Sequence, residues 1–288
     1  MSQPFINGER AGSPPAIPPR AWDELARWPL PSVESTSGCF ETMRVYGGKI
    51  FRLPAHLERL WASAQCLGVR LPMSRAQLAH RLIRAVAASR LREAIVRVAL
   101  LPDAHRVASP SIVVQPVQLP TPSMYRRGIQ VAVVPTRRFP VSQINPQAKF
   151  SARLGSVMAV IEAQLRRVDE AIFMDEMGYV TESTASNLGV IRQGAFVAPP
   201  CWSGLLAGIT WQAITEVAMA LKMPVQEAPL TRHELYNVDE AFLSSTTKEL
   251  LPVTTVDGRR IGTGRPGPST RRLHQGFQRL VKRELRLS

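Results

Sequence analysis

Two short stretches limit the fold more than any other feature of the chain. In CFETMRVYGGKIFRL, residues 39–53, two β-prone runs flank Gly47 and Gly48. A Gly-Gly pair suits a two-residue hairpin loop, because both loop positions take positive φ without a steric cost. In NLGVIRQGAFVAPP, residues 187–200, two more runs turn near Gln193 and Gly194. Tight hairpins make neighbouring strands antiparallel, and helical patterns fall between them without a regular βαβ order. The expected class is therefore α+β, in two domains.

The pattern supplies the remaining elements. FINGER at 5–10 reads as a short first strand, AGSPPAIPPR as a proline-rich connector and AWDELARW as one short helix. A helix follows the first hairpin, with Pro54 at its start and Leu57, Leu60, Trp61, Ala64 and Leu67 on one face. A second helix covers roughly 74–90, and strands follow at EAIVRVALL and SIVVQPV. Residues 118–127, QLPTPSMYRR, carry two prolines and no periodicity, so they read as a linker between a small domain, 1–117, and a large one, 128–288. Then come a strand, GIQVAVVP, and a helix after Pro146 with Leu154, Val157, Met158, Ile161 and Leu165 at helical spacing, expected to be buried. A hairpin-like unit, DEAIFMDEMGYVTES, precedes the second hairpin. A helix at about 207–221, strands at EAFLSSTT and LPVTTVDG, and a terminal helix with Pro268 near its first turn complete the chain.

Composition excludes several classes. With 45% hydrophobic and 20% charged residues, the 288-residue chain can bury real cores. No apolar run approaches the length that crosses a bilayer, so no membrane partner is expected. The first residues lack a basic segment followed by an apolar stretch, so no secretory signal is expected. Cys39, Cys66 and Cys201 lie far apart with no CxxC pair. That fits a reducing, cytoplasmic compartment and argues against a disulfide framework or a zinc cage, and no metal is expected. The formal net charge is +14, much of it near the C-terminus. There the arginines alternate with Leu273, Phe277, Leu280 and Val281, the pattern of an amphipathic helix with a solvated basic face. No aromatic-interleaved basic motif is present, and nucleic acid is not the expected partner.

Four stretches are polar where the pattern does not require it. His56 and Arg59 lie about one turn apart on a helix with an apolar face. Lys149 stands alone before the helix that follows Pro146. Glu182 ends a short β stretch and precedes small hydroxyl residues and Asn187. Gly208, Ile209 and Thr210 open a helix, whose free N–H groups make an anion site, and Thr246 and Thr247 offer a matching polar loop. Each of these, taken alone, reads more readily as an ordinary surface or strand-end group. Together they supply an amine, a carboxylate, an arginine and a helix N-terminus. Those are the components that hold pyridoxal 5′-phosphate: amine for the aldehyde, carboxylate for the ring nitrogen, cations and N–H groups for the phosphate.

Several long segments, in order, then resemble the class IV aminotransferases, the fold-type IV pyridoxal phosphate enzymes. They are PFINGE, GCFETMRVYGGKIFRLPAHLERL, DEAIFMDEMGYVTESTASNLGVI, LLAGIT and LPVTTVDGRRIGTGRPGPSTRRL. The resemblance implies a small N-terminal α/β domain and a larger β-barrel-like domain with helices, a homodimer, and an amino acid and a 2-oxo acid as substrates. It implies that Lys149 is the Schiff-base lysine and proton carrier, that Glu182 pairs with the pyridine nitrogen, and that Arg59 binds the phosphate. Ile209 and Thr210 join that cradle through N–H groups and a hydroxyl, and Thr246 completes it. Phe40 and Glu41 line the substrate pocket, and Arg44 and Arg97 are placed to meet a substrate carboxylate, since strand alternation turns both to one side.

The chain departs from the family pattern in places. PLPSVESTSG stands where the family commonly shows DRGFxYGDG. Thr42 replaces a glycine usual in branched-chain aminotransferases, and Leu154, after Arg153, replaces a tyrosine. Thr42 and the Arg153–Leu154 pair are similar to aminodeoxychorismate lyases; the VDGRRIGTGRPGP ending is similar to the aminotransferases. An aminotransferase acting on a branched-chain-like amino acid is the first expectation. The alternative is a lyase that releases pyruvate to give p-aminobenzoate, with Arg97 and Arg106 meeting its substrate. A non-catalytic, basic nucleic-acid-binding protein is the second alternative.

Overall fold

A computed structural model describes residues 38–139 and 146–287, and the backbone of residues 5, 6, 9 and 10. The chain divides into two compact units, Met1–Leu30 and Pro31–Ser288. In the first, FINGER forms two short strands rather than one: β1 (Phe5–Ile6) pairs antiparallel with β2 (Glu9–Arg10). The helix expected at AWDELARW and the PLPSVESTS segment lie outside the described residues.

The second unit begins with a four-stranded antiparallel sheet. The Gly47–Gly48 turn joins β3 (Cys39–Tyr46) to β4 (Lys49–Ile50), both glycines at positive φ as the turn requires. Helix α1 (Leu53–Cys66) has Pro54 in its first turn, and α2 (Arg75–Ser89) opens on a capping box between Ser74 and Gln77. Strands β5 (Ala94–Pro102) and β6 (Ala108–Pro116) complete the sheet in the order β4-β3-β5-β6. Cys39, Met43 and Val45 of β3 join Leu57, Leu60, Leu78 and Leu82 of the two helices in one apolar core. Period-two alternation turns Phe40, Thr42 and Arg44 to the other face, with Arg97 directly across from Thr42.

The expected structureless linker holds a helix, α3 (Pro122–Arg127). Thr121 caps it by accepting the Met124 N–H, and Pro122 supplies a preset φ in the first turn. Six residues are too few for a periodicity to show, which is why pattern alone misses it.

The larger sheet has nine strands. In chain order they are β7 (Ile129–Arg137), β8 (Glu170–Met174), β9 (Val180–Ser183), β10 (Asn187–Arg192), β11 (Ala195–Ala198), β12 (Val225–Glu227), β13 (Glu240–Ser245), β14 (Glu249–Val256) and β15 (Arg259–Arg260). The path β10-β13-β14-β7-β8-β9 returns to β10 through the Glu182–Asn187 pair, so six strands close into a barrel-like ring. Its core holds Ile129, Val131, Ile172, Leu188, Leu243 and Leu251. β11 and β12 extend the sheet beyond the ring, and β15 pairs with β14.

Helix α4 (Leu154–Leu165) corrects one expectation. It packs on β7 and β8 through Ala159 and Ala163, beside Val134, Ala171 and Phe173. Leu154, Met158 and Leu165 are exposed. Small side chains let the helix lie close to the sheet, and the larger apolar residues are left outside. Helix α5 (Ile209–Ala220) and the short α6 (Arg232–Tyr236) follow. The terminal helix α7 (Pro268–Leu285) buries Leu273, Phe277, Leu280 and Val281 as expected and leaves Arg271, Arg272, Arg279, Lys282 and Arg283 exposed. Among the described residues no helix is long and apolar enough to cross a membrane.

Phe277 joins α7 to the end of the first hairpin, its ring 5.8 Å from that of Phe51 and nearly perpendicular to it. It is 1% exposed. Phe277→Ala is expected to lower stability by about 3–5 kcal/mol, the usual range for emptying a buried aromatic site, measured by chemical denaturation.

Candidate active site

Glu41 on β3 has no solvent exposure. It faces α1, where Arg59 grips it with two hydrogen bonds, Nε to Oε1 at 2.6 Å and Nη2 to Oε2 at 2.9 Å. His56, one turn earlier, contacts Oε2 at 2.8 Å through Nδ1. Burial alone would raise this carboxyl; the charge of Arg59 and the His56 contact outweigh it and hold the pKa down to about 2. Burial pushes the pKa of His56 down, against the pull of Glu41. A carboxylate only accepts, so a neutral His56 carries its proton on Nδ1. The spare arm of Arg59, Nη1, donates to the Ala207 carbonyl at 2.7 Å, in the loop that opens α5.

Lys149 lies five residues before α4 rather than at its mouth, in an extended segment held by its neighbours. The Phe40 N–H donates to the Lys149 carbonyl at 3.0 Å, the Ser151 N–H to the Gly38 carbonyl at 2.8 Å, and the Lys149 N–H to Ser63 Oγ of α1 at 2.9 Å. Its amine sits 4.8 Å from the centre of the Phe40 ring. Desolvation, and then the charge of Arg59, pull the lysine down to about 7 from its ordinary 10.5. Glu41 pulls in the other direction, Arg153 adds to the fall, and Glu182 opposes it.

Glu182 is also buried. Arg138 meets its Oε1 at 2.8 Å, while Oε2 receives the Leu206 N–H at 3.3 Å and Asn187 Nδ2 at 3.4 Å. Burial raises its pKa, and the charge of Arg138 opposes the rise. Asn187 also donates to the Leu206 carbonyl at 2.7 Å, and Gln147 donates to the Leu205 carbonyl at 3.0 Å. The lysine segment, the Glu182 strand and the loop before α5 are thus clipped together. Gly208 caps α5; a Cβ there would lie 2.1 Å from Asn187 Oδ1, so only glycine fits. Ile209 and Thr210 follow as the first residues of the helix, with their N–H groups at its positive end.

The other candidates divide. Thr246 lies on the β13–β14 turn and donates to the Thr42 carbonyl at 3.2 Å, beside the first hairpin. Phe40 covers the amine and also lies 5.9 Å from the Arg153 guanidinium. Arg97 shares the face of Phe40 and Thr42, with Nε 3.4 Å from Thr42 Oγ1. Arg44 shares that face too, yet its charge is taken up by Glu93 at 2.5 Å, and its guanidinium stacks 4.6 Å from the Tyr46 ring.

Sequence pattern misses Arg138, Gln147 and Ser63, and the depth of Glu41. Only Glu41 leaves a trace: a carboxylate on the buried side of an alternating strand, with an arginine following in the next helix.

The family described as amino-transferase class IV matches residues 38–256, which includes the Glu41–Arg59 pair, Lys149, Glu182 and the α5 N-terminus. The chain belongs to the class IV aminotransferase family. This class IV aminotransferase is 33% identical over 258 residues to the branched-chain-amino-acid aminotransferase of Pseudomonas aeruginosa, covering 85% of the chain and 84% of the relative. It is 30% identical over 256 residues to the D-alanine aminotransferase of Bacillus licheniformis, covering 86% and 88%. Its fold matches the branched-chain aminotransferase of Thermoproteus uzoniensis, solved with norvaline, at a TM-score of 0.80, 31% identity and coverage of 88% and 90%.

A lysine whose pKa is depressed on folding destabilises the folded chain as pH falls. Between about 10.5 and 7 the unfolded lysine gains its proton and the folded one does not, so its contribution to stability is lost through that window. Lys149→Met in the cofactor-free protein is therefore expected to raise stability at neutral pH, by on the order of a few kcal/mol. It should also flatten the pH dependence between 7 and 10.5, read by denaturant titration at several pH values.

Proposed function

We propose that this aminotransferase uses pyridoxal 5′-phosphate to move an amino group between a branched-chain-like amino acid and a 2-oxo acid. The observation that carries the reading is the desolvated Lys149 amine between two buried carboxylates, Glu41 and Glu182, each paired with an arginine. The donor set fits the cofactor. Arg59 and the N–H groups of Ile209 and Thr210 are the groups that hold a phosphate dianion, with Thr246 beside them. Glu182 is the carboxylate for the ring nitrogen. Gly208 leaves room for the Asn187 side chain at the start of α5. A branched-chain amino acid aminotransferase solved with pyridoxamine 5′-phosphate shares this fold at a TM-score of 0.82 and 28% identity, which supports the same cofactor here.

When bound, the cofactor supplies an aldehyde that condenses with amines and a ring that withdraws electrons from the bond to be broken. The protein supplies the rest. Lys149, with a pKa of about 7, is substantially unprotonated at neutral pH, so its Nζ can take the proton from the substrate's α-carbon and later return one. The Phe40 ring keeps water from one side of that amine. Arg97 attracts a substrate carboxylate, while Arg44, held by Glu93, stands behind it. Arg59 reaches Glu41 on one side and Ala207 on the other, so the phosphate site is rigid before anything binds.

The lyase reading needs Arg106 beside Arg97. Arg106 instead lies on the β5–β6 turn at φ 60 and donates to the Leu67 carbonyl at the end of α1. That favours transamination. The reading includes a small domain, 1–117, a linker, 118–127, and a large domain, 128–288, supported by two separate sheets and cores. It includes a homodimer, supported by the exposed apolar side of α4, and a cytoplasmic location, which the three free thiols fit.

The test is the visible spectrum of the holoenzyme beside Lys149→Ala, before and after single amino acids are added. A band present in the wild type and lost in the variant supports the lysine assignment. L-leucine, L-isoleucine or L-valine is expected to convert that band to the pyridoxamine form. Conversion by D-alanine alone would move the substrate to the D-series, and release of pyruvate from aminodeoxychorismate with no conversion by any amino acid would restore the lyase. A protein that stays colourless with added cofactor would end the reading.

A further inference from the structure

Arg138 meets neither the lysine nor the phosphate cradle, yet it holds the most consequential carboxylate in the site. It is the first residue beyond β7. Its Nη2 lies 2.8 Å from Glu182 Oε1, and the side chain is 19% exposed. Three further contacts keep the residue in place. Its Nε donates to the Gly204 carbonyl at 3.1 Å, its backbone N–H donates to the Met174 carbonyl at 3.0 Å, and its charged carbon lies 5.5 Å from the centre of the Phe173 ring. Gly204 sits at φ 91, a conformation that favours glycine, so the carbonyl that aims Arg138 depends on that residue.

Two neutral donors, the Leu206 N–H and Asn187 Nδ2, reach the other oxygen, Oε2, at longer distances. Two further cations, Lys149 and Arg153, also act on it. Lys149 lies over Phe40, and Arg153 donates to the Thr184 carbonyl. Burial favours the neutral acid. A carboxyl in such a place that meets a pyridine nitrogen shares one proton with it, and the proton rests on whichever partner is more basic.

We propose that Arg138 is a positioning residue that decides this sharing: by pairing with Glu182 Oε1 it keeps Glu182 an anion and leaves the proton on the ring nitrogen of the bound cofactor. This rests on the assignment of Glu182 to that nitrogen. A protonated ring draws electrons from the α-carbon; an unprotonated one does so weakly. Without Arg138 the proton moves from the ring to the carboxyl, Glu182 becomes a neutral donor, and the charge that drives the reaction is gone, although Lys149 and the phosphate cradle are intact.

The experiment loads the holoenzyme with pyridoxal 5′-phosphate labelled with 15N in the ring. The ring-nitrogen resonance is recorded for wild type, Arg138→Met, Arg138→Lys and Glu182→Gln, with melting temperature and steady-state kinetics on each. Wild type and Arg138→Lys are expected at the protonated position. Arg138→Met is expected at the unprotonated position, with kcat reduced about tenfold to a hundredfold, the worth of one charge-assisted contact, and KM little changed. Where Arg138→Met does not fold, Arg138→Gln removes the same charge. A neutral variant whose ring nitrogen stays protonated, while Glu182→Gln loses the signal position, overturns the role of Arg138 alone. If Glu182→Gln also keeps the wild-type resonance, Glu182 is not the partner of the ring and the underlying assignment falls with it. A lowered melting temperature with an unmoved resonance identifies Arg138 as structural only and likewise overturns the proposal.

Discussion

Glu41 carries a charge with no contact to water, and the arrangement of the site follows from how that charge is met. Leaving such a carboxylate unpaired would be severely destabilising, so its partners have little freedom. Arg59 must lie flat against both oxygens and His56 must offer its Nδ1 proton. That geometry sets the rotation of α1 against β3. It also leaves one guanidinium arm pointing across to Ala207, which brings the N-terminus of α5 into reach. One buried ion pair thus aligns the small sheet, its first helix and the N-terminal end of a helix beside the large sheet. Its value is in geometry: replacing a buried pair with apolar groups can leave stability unchanged, but no apolar replacement would present a cation at that point.

The two buried carboxylates are treated differently by their surroundings. Glu41 is met by two hydrogen bonds from one arginine and a third from histidine, and its pKa is driven far down. Glu182 has a direct ion pair with Arg138 and two longer neutral contacts, and burial keeps its pKa raised against the charges of Arg138, Lys149 and Arg153. The first is fixed as an anion and serves as scaffold. The second is held less firmly, with burial set against the charge of Arg138. The lysine that both carboxylates act on is depressed chiefly by loss of water, against the pull of either acid.

Much of this is legible in the residues. The Gly47–Gly48 and Gln193–Gly194 turns, the alternation of β3 and the amphipathic α7 follow from local chemistry, and the structure has them where the pattern puts them. The class IV resemblance in long ordered segments is matched by the family match over 38–256. What the pattern does not reach are contacts between distant segments. Arg138 and Glu182 are separated by forty-odd residues and meet because β7 and β9 both pair with β8. Periodicity does not give the orientation of α4, because it identifies a face without saying which side packs; Ala159 and Ala163 let that side come closer to the sheet than leucine would. The six-residue α3 is too short to carry a period at all.

The backbone around Lys149 is bonded to Phe40, Gly38 and Ser63, all in the small sheet and its first helix or directly before them, although the lysine follows β7 in the chain. Glu182 and the first turn of α5 belong to the large sheet. The amine is therefore held by one half and acted on by a carboxylate of the other. This aminotransferase is consequently not modular in the way its two sheets suggest. A small sheet borrowed from a relative would carry its own placement of the lysine, and a mismatch of a fraction of an ångström would appear as lost chemistry in a chain that still folds. Drift in one half must be answered in the other, so the two sheets are bound to change together.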